Sequence, residues 1–202
     1  MIKEACVESF SEAVIAEKRG ADRIELCDNL SEGGTTPSYG TIKTTLEKIK
    51  IPVFVMIRPR GENFCYNRNE IEIMKQDIEM CKSLGVKGIV LGVLNKNSEI
   101  DYPLLKELVN LASPMEVTFH KAIDELENPL SEIKKLADSG VKRILSSGTK
   151  AKAIDGKEVL KKMIEEAGED ITIIVAGGIT SKNLEEISKE IVSSEYHGKK
   201  IV

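Results

Sequence analysis

Short apolar runs alternate with amphipathic segments along this chain, and that rhythm predicts strands that alternate with helices. The run Ile51–Ile57 is apolar at nearly every position, which is typical of a parallel strand buried on both faces. The predicted strands are Ile2–Val7, Ile24–Cys27, Ile51–Ile57, Gly88–Val93, Met115–Phe119, Arg143–Leu145, Ile171–Ala176 and a short Ser194–His197. The predicted helices are Ser9–Arg19, one that starts near Pro37 and Ser38, Asn69–Ser83, Pro103–Leu111, Pro129–Ser139, Lys157–Ala167 and Lys182–Val192.

A repeated turn supports this order. Gly20, Gly85 and Gly140 each begin a string in which a helix stops and a strand starts, at intervals of about two β/α units. Eight strands with seven helices between them favour a TIM-like (β/α) barrel of the α/β class. The alternative, an open flavodoxin-like or Rossmann-like sheet, is weakened because no strand is followed by GxGxxG. With 202 residues we expect one domain over 1–202, a compact or incomplete barrel that lacks the last helix.

Composition excludes several classes of function. The chain has 29 basic and 33 acidic residues, so its net charge of -4 gives no general attraction to nucleic acid or anionic membranes. No apolar run approaches the roughly 18–20 residues of a membrane span, and Lys3 and Glu4 interrupt any secretory signal. We therefore expect a cytoplasmic protein. Its four cysteines form no CxxC pair, and a disulfide framework is not expected in that compartment.

Candidate chemistry lies where polar residues interrupt apolar strands, because a barrel carries its site at the carboxyl ends of the strands. Side chains alternate along a strand, so Glu4 and Cys6 share one face of the first strand, and Glu25 and Cys27 share one face of the second. Arg58 ends the third strand and could pair with Glu4 or Glu25 in a planar fork.

Two strands end in imidazole groups. The fifth strand places Thr118 and His120 on one face, and the last strand offers His197 before Gly198. His120 is a candidate acid/base or ligand, and the acidic residues are candidate catalytic groups with it. The residues also allow plainer interpretations: an ion network around Arg58, a packed His120, and a surface His197 near the chain end.

Glycine-rich loops late in the chain indicate a second kind of site. Ser147 and Gly148 follow the sixth strand, and Gly177 and Gly178 follow the seventh. Loops of this kind present backbone N–H groups to anions, so these residues are candidate ligand-binding groups.

The two thiols at the ends of neighbouring strands suggest a metal. Cys6 and Cys27 lie on matching faces, and two thiolates can hold a soft ion such as Cu(I). The chain lacks the ligand spacing of a structural zinc site, so zinc is not expected.

Six strings in the chain together resemble the CutC copper homeostasis family, over essentially its whole length and in the same order. They are Gly20–Cys27, Glu32–Ser38, Val55–Gly61, Val117–His120, Ala176–Thr180 and Glu195–Gly198. The resemblance implies a TIM-like barrel, a cytosolic location and a role in copper handling. It implies Cu(I) ligands at Cys6 and Cys27, and pocket residues at Glu4, Glu25, Arg58, Arg60, His120 and His197.

Three functions stay open at this point. The first is a copper homeostasis protein that binds Cu(I). The second is a barrel enzyme, an isomerase, lyase or hydrolase, which acts on a small anionic metabolite such as a phosphorylated one. The third is an interaction scaffold. We expect no nucleic-acid or membrane partner, and we expect a homodimer or higher homo-oligomer, because a missing helix would leave apolar barrel surface to cover.

Overall fold

The computed structural model describes all 202 residues and shows a closed barrel of eight parallel strands. Each strand pairs with the next one in the sequence, and β8 pairs with β1 to close the barrel. The strands are β1 (Ile2–Val7), β2 (Arg23–Leu26), β3 (Val53–Met56), β4 (Gly88–Leu91), β5 (Glu116–Phe119), β6 (Arg143–Ser146), β7 (Thr172–Val175) and β8 (Glu195–Gly198). The predicted barrel is confirmed, and the alternative of an open sheet is wrong.

Seven α-helices connect the strands and pack around the barrel. They are α1 (Phe10–Lys18), α2 (Tyr39–Lys48), α3 (Arg68–Ser83), α4 (Tyr102–Ala112), α5 (Ile133–Asp138), α6 (Lys157–Ala167) and α7 (Leu184–Glu190). Short 3₁₀ helices span Leu30–Glu32, Lys121–Glu125 and Pro129–Glu132. None of the helices combines the length and the apolar character that a membrane-spanning segment needs.

Local hydrogen bonds explain where the helices begin. Asn67 caps α3 by accepting N–H groups of Asn69 and Glu70, and the Glu70 carboxylate accepts the N–H of Asn67 in return. The helix predicted over Lys182–Val192 begins later, at Leu184, because the Asn183 side chain accepts the N–H of Thr180 in a turn. The segment predicted as Pro129–Ser139 opens as a 3₁₀ helix before α5 begins.

The main hydrophobic core lies between the strands and the surrounding helices. It contains 46 buried residues, contributed by the outward faces of the strands and the inward faces of the helices. The inner faces of the strands carry two small apolar clusters together with buried polar side chains. The site therefore depends on what fills the barrel interior.

At the amino end, the interior is filled by an ion network around an aromatic ring. Arg23 pairs with Glu4 and Glu195, and Arg143 pairs with Glu195 and Glu116. Both guanidinium groups lie over the ring of Phe54, at 4.9 and 5.2 Å from its centroid. Position 88 must be glycine, because a Cβ atom there would lie 2.5 Å from the same ring. We call these five charged residues the amino-end network.

Candidate functional site

A small cavity opens at the carboxyl end of the barrel interior. Its volume is about 220 Å³, and strands from opposite sides of the barrel contribute to it. The residues around it are Cys6, Glu25, Leu30, Gly33, Met56, Arg58, Phe64, His120, Lys121, Leu145, His197 and Lys199. Five of the residues singled out from the sequence thus meet in one place: Cys6, Glu25, Arg58, His120 and His197.

On one side of the cavity lies a cluster of two thiols, two carboxylates and an imidazole. The sulfur atoms of Cys6 and Cys27 are 4.0 Å apart, and the Cys27 sulfur is 3.6 Å from Oε2 of Glu25. Nδ1 of His197 lies 2.8 Å from Oε1 of Glu4, and Nε2 of His197 lies 3.7 Å from Oε2 of Glu25. All five groups are nearly or fully shielded from solvent, so their charges act on one another strongly. We call these residues the thiol cluster.

Glu4 is the charged anchor of the thiol cluster. Burial alone would raise its pKa, but the hydrogen bond to His197 and the positive charge of Arg23 lower the pKa of Glu4 to about 2. Burial opposes protonation of His197, but the acidic groups around it, Glu25 first among them, hold its pKa well above the ordinary value. The pair is therefore a carboxylate and an imidazolium at neutral pH.

The two thiols differ in acidity. The hydrogen bond from Cys27 lowers the pKa of Cys6 well below its ordinary value, with a smaller contribution from His197. The same contact with Cys6, and then burial, raise the pKa of Cys27 well above that value. Burial and the negative charge of Cys6 raise the pKa of Glu25. Cys6 therefore loses its proton more readily than Cys27, and Glu25 lies beside Cys27.

Two sets of side chains bring potential metal ligands together: Cys6, Glu25 and Cys27 in one, and Glu4, Glu25 and His197 in the other. In the first set, two metal–thiolate bonds of about 2.3 Å would span the 4.0 Å between the sulfur atoms at an angle of about 120°. That donor set fits a soft ion of low coordination number. In the second set His197 is already paired with Glu4, so the first set is the better metal site.

Arg58 lines the cavity but does not form the predicted pair with Glu4 or Glu25. Its guanidinium donates instead to three backbone carbonyl groups, those of Glu32, Gly34 and Glu62. It also lies 4.8 Å above the ring centroid of Phe64. Arg58 does not pair with these carboxylates because it lies beyond the end of β3, next to the loops. No acidic side chain reaches it there.

His120 lies across the cavity with its ring held in one orientation. Its Nδ1 accepts the N–H of Ala122, and the ring rests on position 92, where a Cβ atom would lie 2.3 Å from Cε1. Burial, and then the positive charge of Arg58, lower the pKa of His120 to about 3. His120 is therefore a neutral imidazole with its proton on Nε2, and this atom has no hydrogen-bond partner. A neutral ring of this kind is suited to donating a hydrogen bond rather than to exchanging protons near neutral pH.

Two other predicted residues of the site lie outside the cavity. Arg60 forms an ion pair with Glu70 at 2.7 Å and also lies over the ring of Tyr66, so it fastens the loop after β3 to α3. Thr118 is buried within the barrel, and its hydroxyl group has no partner. Neither lines the cavity.

The predicted anion-binding loop is already occupied by a carboxylate of the chain itself. Asp124, in the 3₁₀ helix after β5, accepts the N–H groups of Ser147 and Thr149 and the hydroxyl groups of Ser146 and Ser147. In the loop after the sixth strand, the amide groups that the sequence offered to an external anion are thus satisfied internally.

The remaining loop glycines also serve the fold. The N–H of Gly148 donates to the hydroxyl group of Ser146, and the carbonyl of Gly177 accepts the N–H of Ala153. Gly178 gives its carbonyl to the side chain of Asn183. None of the three lines the cavity.

Sequence reasoning missed Arg23, which pairs with Glu4 in place of Arg58. Strand alternation could have found it, because Arg23 shares its face of β2 with Glu25 and Cys27. It also missed Phe64, Lys121 and Lys199 around the cavity. Phe64 lies on a loop, Lys121 begins a short 3₁₀ helix and Lys199 lies near the end of the chain, and in none of these places does a periodic pattern indicate which way a side chain points.

Comparisons with known proteins agree on one family. A sequence model of the CutC family matches residues 1–202. The human copper homeostasis protein cutC homolog is 44% identical over 97% of this chain and 72% of its own length. A CutC protein of Histophilus somni is 40% identical over 96% of this chain and 80% of its own length.

Solved structures give the same result. A structure of a CutC protein from Streptococcus agalactiae has a TM-score of 0.94 and 36% identity, over 100% of both chains. An aldolase with a TM-score of 0.68 and 15% identity, over 98% of this chain and 89% of its own, shares the fold alone. The family likeness therefore extends over the whole barrel, whereas the likeness to enzymes stops at its architecture.

Proposed function

This chain belongs to the CutC family, and from that premise we propose that it acts in copper homeostasis by binding Cu(I) at Cys6 and Cys27. The observation that carries the proposal is the buried pair of sulfur atoms 4.0 Å apart at the carboxyl end of the barrel. The names of the human and mouse relatives, copper homeostasis protein cutC homologs, support it.

The unequal acidity of the two thiols suits capture of a monovalent soft ion. The thiolate is the metal-binding form of cysteine, and Cys6 loses its proton more readily than Cys27 does. Cys27 would release its proton when the ion binds, and the carboxyl group of Glu25 is the polar group next to that sulfur. Replacing one proton by one monovalent cation leaves the net charge of the thiol cluster unchanged, so the buried site need not absorb a new charge.

His197 and Glu4 would position this site rather than bind the ion. Glu4 is paired with Arg23 at the amino end, and its other carboxylate oxygen accepts a hydrogen bond from Nδ1 of His197. The ring in turn lowers the pKa of Cys6. Copper is the cargo of such a site, and the chain's contribution is a dry, preformed pair of sulfur ligands.

An anaerobic Cu(I) titration against a competing chelator tests the proposal. We expect one Cu(I) per chain for the wild type, and an affinity at least about 100-fold lower for Cys6→Ser and for Cys27→Ser, because a hydroxyl group is a poor ligand for a soft ion. Cys65→Ser is the matched control, since that thiol lies outside the cluster, and it should bind like the wild type. Equal affinities for all four proteins would refute the proposal.

No observation favours the enzymatic alternative over copper binding, because the aldolase that resembles the chain shares its fold alone. The cytoplasmic location and the homodimer stay predictions. Size-exclusion chromatography with light scattering tests the homodimer, and a monomer at high concentration would contradict it.

A further inference from the structure

Arg58 is a buried charge without a counterion. Arg58 is only 5% exposed, and its guanidinium forms no ion pair with any carboxylate of the chain. The three carbonyl groups that it contacts solvate the guanidinium but carry no net charge, and its Nε atom has no partner. An uncompensated buried charge is unfavourable, so this group favours an anion in the adjacent cavity.

His120 presents a second unsatisfied donor to the same cavity. The residue is 4% exposed, and Nδ1 accepts the N–H of Ala122, which places the ring proton on Nε2. The N–H at Nε2 has no acceptor in the chain. A buried donor without a partner has lost its hydration without compensation, and an oxygen atom of a ligand would restore the missing hydrogen bond.

The two groups are held close together by one aromatic ring. Phe64 lies 4.6 Å from the His120 ring, centroid to centroid, and 4.8 Å below the Arg58 guanidinium. Three backbone carbonyls fix Arg58, and Gly92 with the Ala122 N–H fixes His120. A charge and a donor are thus preorganised on one wall of the cavity, opposite the thiol cluster.

The remaining walls set the size and character of the occupant. Leu30, Met56, Phe64 and Leu145 line the cavity with apolar surface. The volume of about 220 Å³ is below the roughly 300–1,000 Å³ of pockets that take drug-sized ligands, so the occupant is a small molecule. An anionic head and a short hydrocarbon body match this combination better than a bare inorganic ion does.

We propose that the cavity binds a small monocarboxylate, with one carboxylate oxygen accepting from Nε2 of His120 and the negative charge facing Arg58. The exposed ammonium groups of Lys121 and Lys199 lie at the border of the same cavity and favour entry of an anion. This binding site does not depend on the copper proposal, because none of its polar contacts comes from Cys6 or Cys27.

Butyrate is a suitable probe, and the copper-free, reduced wild-type protein is the sample. The chain has two histidines, so a ¹⁵N-histidine spectrum resolves the Nε2–H signal of His120, assigned from its loss in His120→Gln. We expect butyrate to shift this signal in a saturable way, while the neutral analogue butyramide binds at least about tenfold more weakly. No saturable shift up to about 100 mM butyrate, a concentration well above a millimolar Kd, would overturn the proposal.

Variants separate the two contacts. Arg58→Met and His120→Leu should each weaken butyrate binding about ten- to a hundredfold, measured by calorimetry, since each removes a charged or charge-assisted contact. His120→Gln keeps a donor and should lose only a few-fold. Arg68→Gln, which removes an exposed arginine outside the cavity, should bind as the wild type does. Equal binding by Arg58→Met, His120→Leu and Arg68→Gln would contradict the assignment, and the wild-type titration decides the matter if a variant fails to fold.

Two further experiments test whether carboxylate binding is separate from copper binding and whether an inorganic anion can replace the carboxylate. Cys27 does not line the cavity, so Cys27→Ser, which should lose copper binding, should still give a saturable butyrate shift of the His120 signal. Failure of copper binding and failure of carboxylate binding are therefore distinguishable. Inorganic phosphate should shift the His120 signal weakly or not at all. Saturation by phosphate without saturation by butyrate would replace the carboxylate by an inorganic oxyanion and overturn the assignment.

Discussion

The two ends of the barrel interior treat buried charge in opposite ways. In the amino-end network, Arg23 and Arg143 are each paired with two carboxylates, and Glu195 links them. At the carboxyl end, Arg58 has no carboxylate partner and His120 has a free donor. In a complete set each buried charge is compensated by a partner, whereas an incomplete set leaves a charge and a donor available to a ligand.

The two ends are connected through Glu4. One of its oxygen atoms pairs with Arg23 in the amino-end network, and the other accepts from His197 in the thiol cluster. The satisfied end therefore positions the end that we assign to binding. Glu4, which was predicted to be catalytic, therefore lies beneath the cavity rather than on its wall, because it joins the two ends of the barrel interior.

The largest expected effect comes from breaking the amino-end network. Arg23→Met leaves Glu4 and Glu195 buried without their shared partner, so we expect the free energy of unfolding to fall by about 3–5 kcal/mol. Urea denaturation measures it. Lys189→Met is the control, because it removes an exposed pair with Glu185 and should cost about 0.5 kcal/mol or less. Similar losses for both variants would mean that the network does not stabilise the fold.

A smaller effect should appear at acid pH through His120. Its pKa in the folded protein is about 3, below the value of about 6.5 in the unfolded chain. Below pH 6.5 the unfolded state therefore binds a proton that the folded state does not, and stability falls as the pH decreases toward 3. Between pH 7.5 and pH 5 this removes about 2 kcal/mol.

Urea denaturation of the wild type and of His120→Gln at these two pH values isolates the effect, because His197 is present in both proteins. We expect the wild type to lose about 2 kcal/mol more than the variant over this range. An equal loss in both proteins would show that His120 is not held neutral by its surroundings.

The smallest effect concerns an unsatisfied hydroxyl group in the barrel interior. Thr118→Val keeps the shape of the side chain and removes a buried oxygen without a partner, so we expect a gain of about 0.5–1 kcal/mol in thermal or urea unfolding. Thr45→Val is the matched change in α2, where the hydroxyl donates to the carbonyl of Thr41 at 2.8 Å, and it should lose about 1 kcal/mol. Loss of stability in Thr118→Val would indicate that its hydroxyl is satisfied.

Five of the twelve residues around the cavity were predicted from the sequence. Cys6, Glu25 and His120 came from the rule that every second residue of a strand faces the same side, and Arg58 and His197 came from their places at the ends of strands. The rule says which side a residue faces and not how far along the barrel it lies. Phe54 is the register partner of Glu25, and Arg58 lies four positions farther, about 13 Å along the strand. The predicted pair with Glu25 was therefore out of reach.

The loop contacts could not be predicted from periodicity. Asp124 accepts the N–H groups of Ser147 and Thr149, and it lies in the 3₁₀ helix that follows β5. Phe64 places its ring between Arg58 and His120 from the loop after β3. Both contacts depend on how a loop folds back over the barrel, and this is set by tertiary packing rather than by local pattern.

X-ray absorption spectroscopy of the Cu(I)-loaded wild-type protein tests most directly whether the carboxyl end of the barrel is the binding end. We expect two sulfur neighbours at about 2.3 Å from copper, with the second lost in Cys27→Ser. A copper environment made of nitrogen and oxygen alone, or one unchanged in Cys27→Ser, would contradict the account.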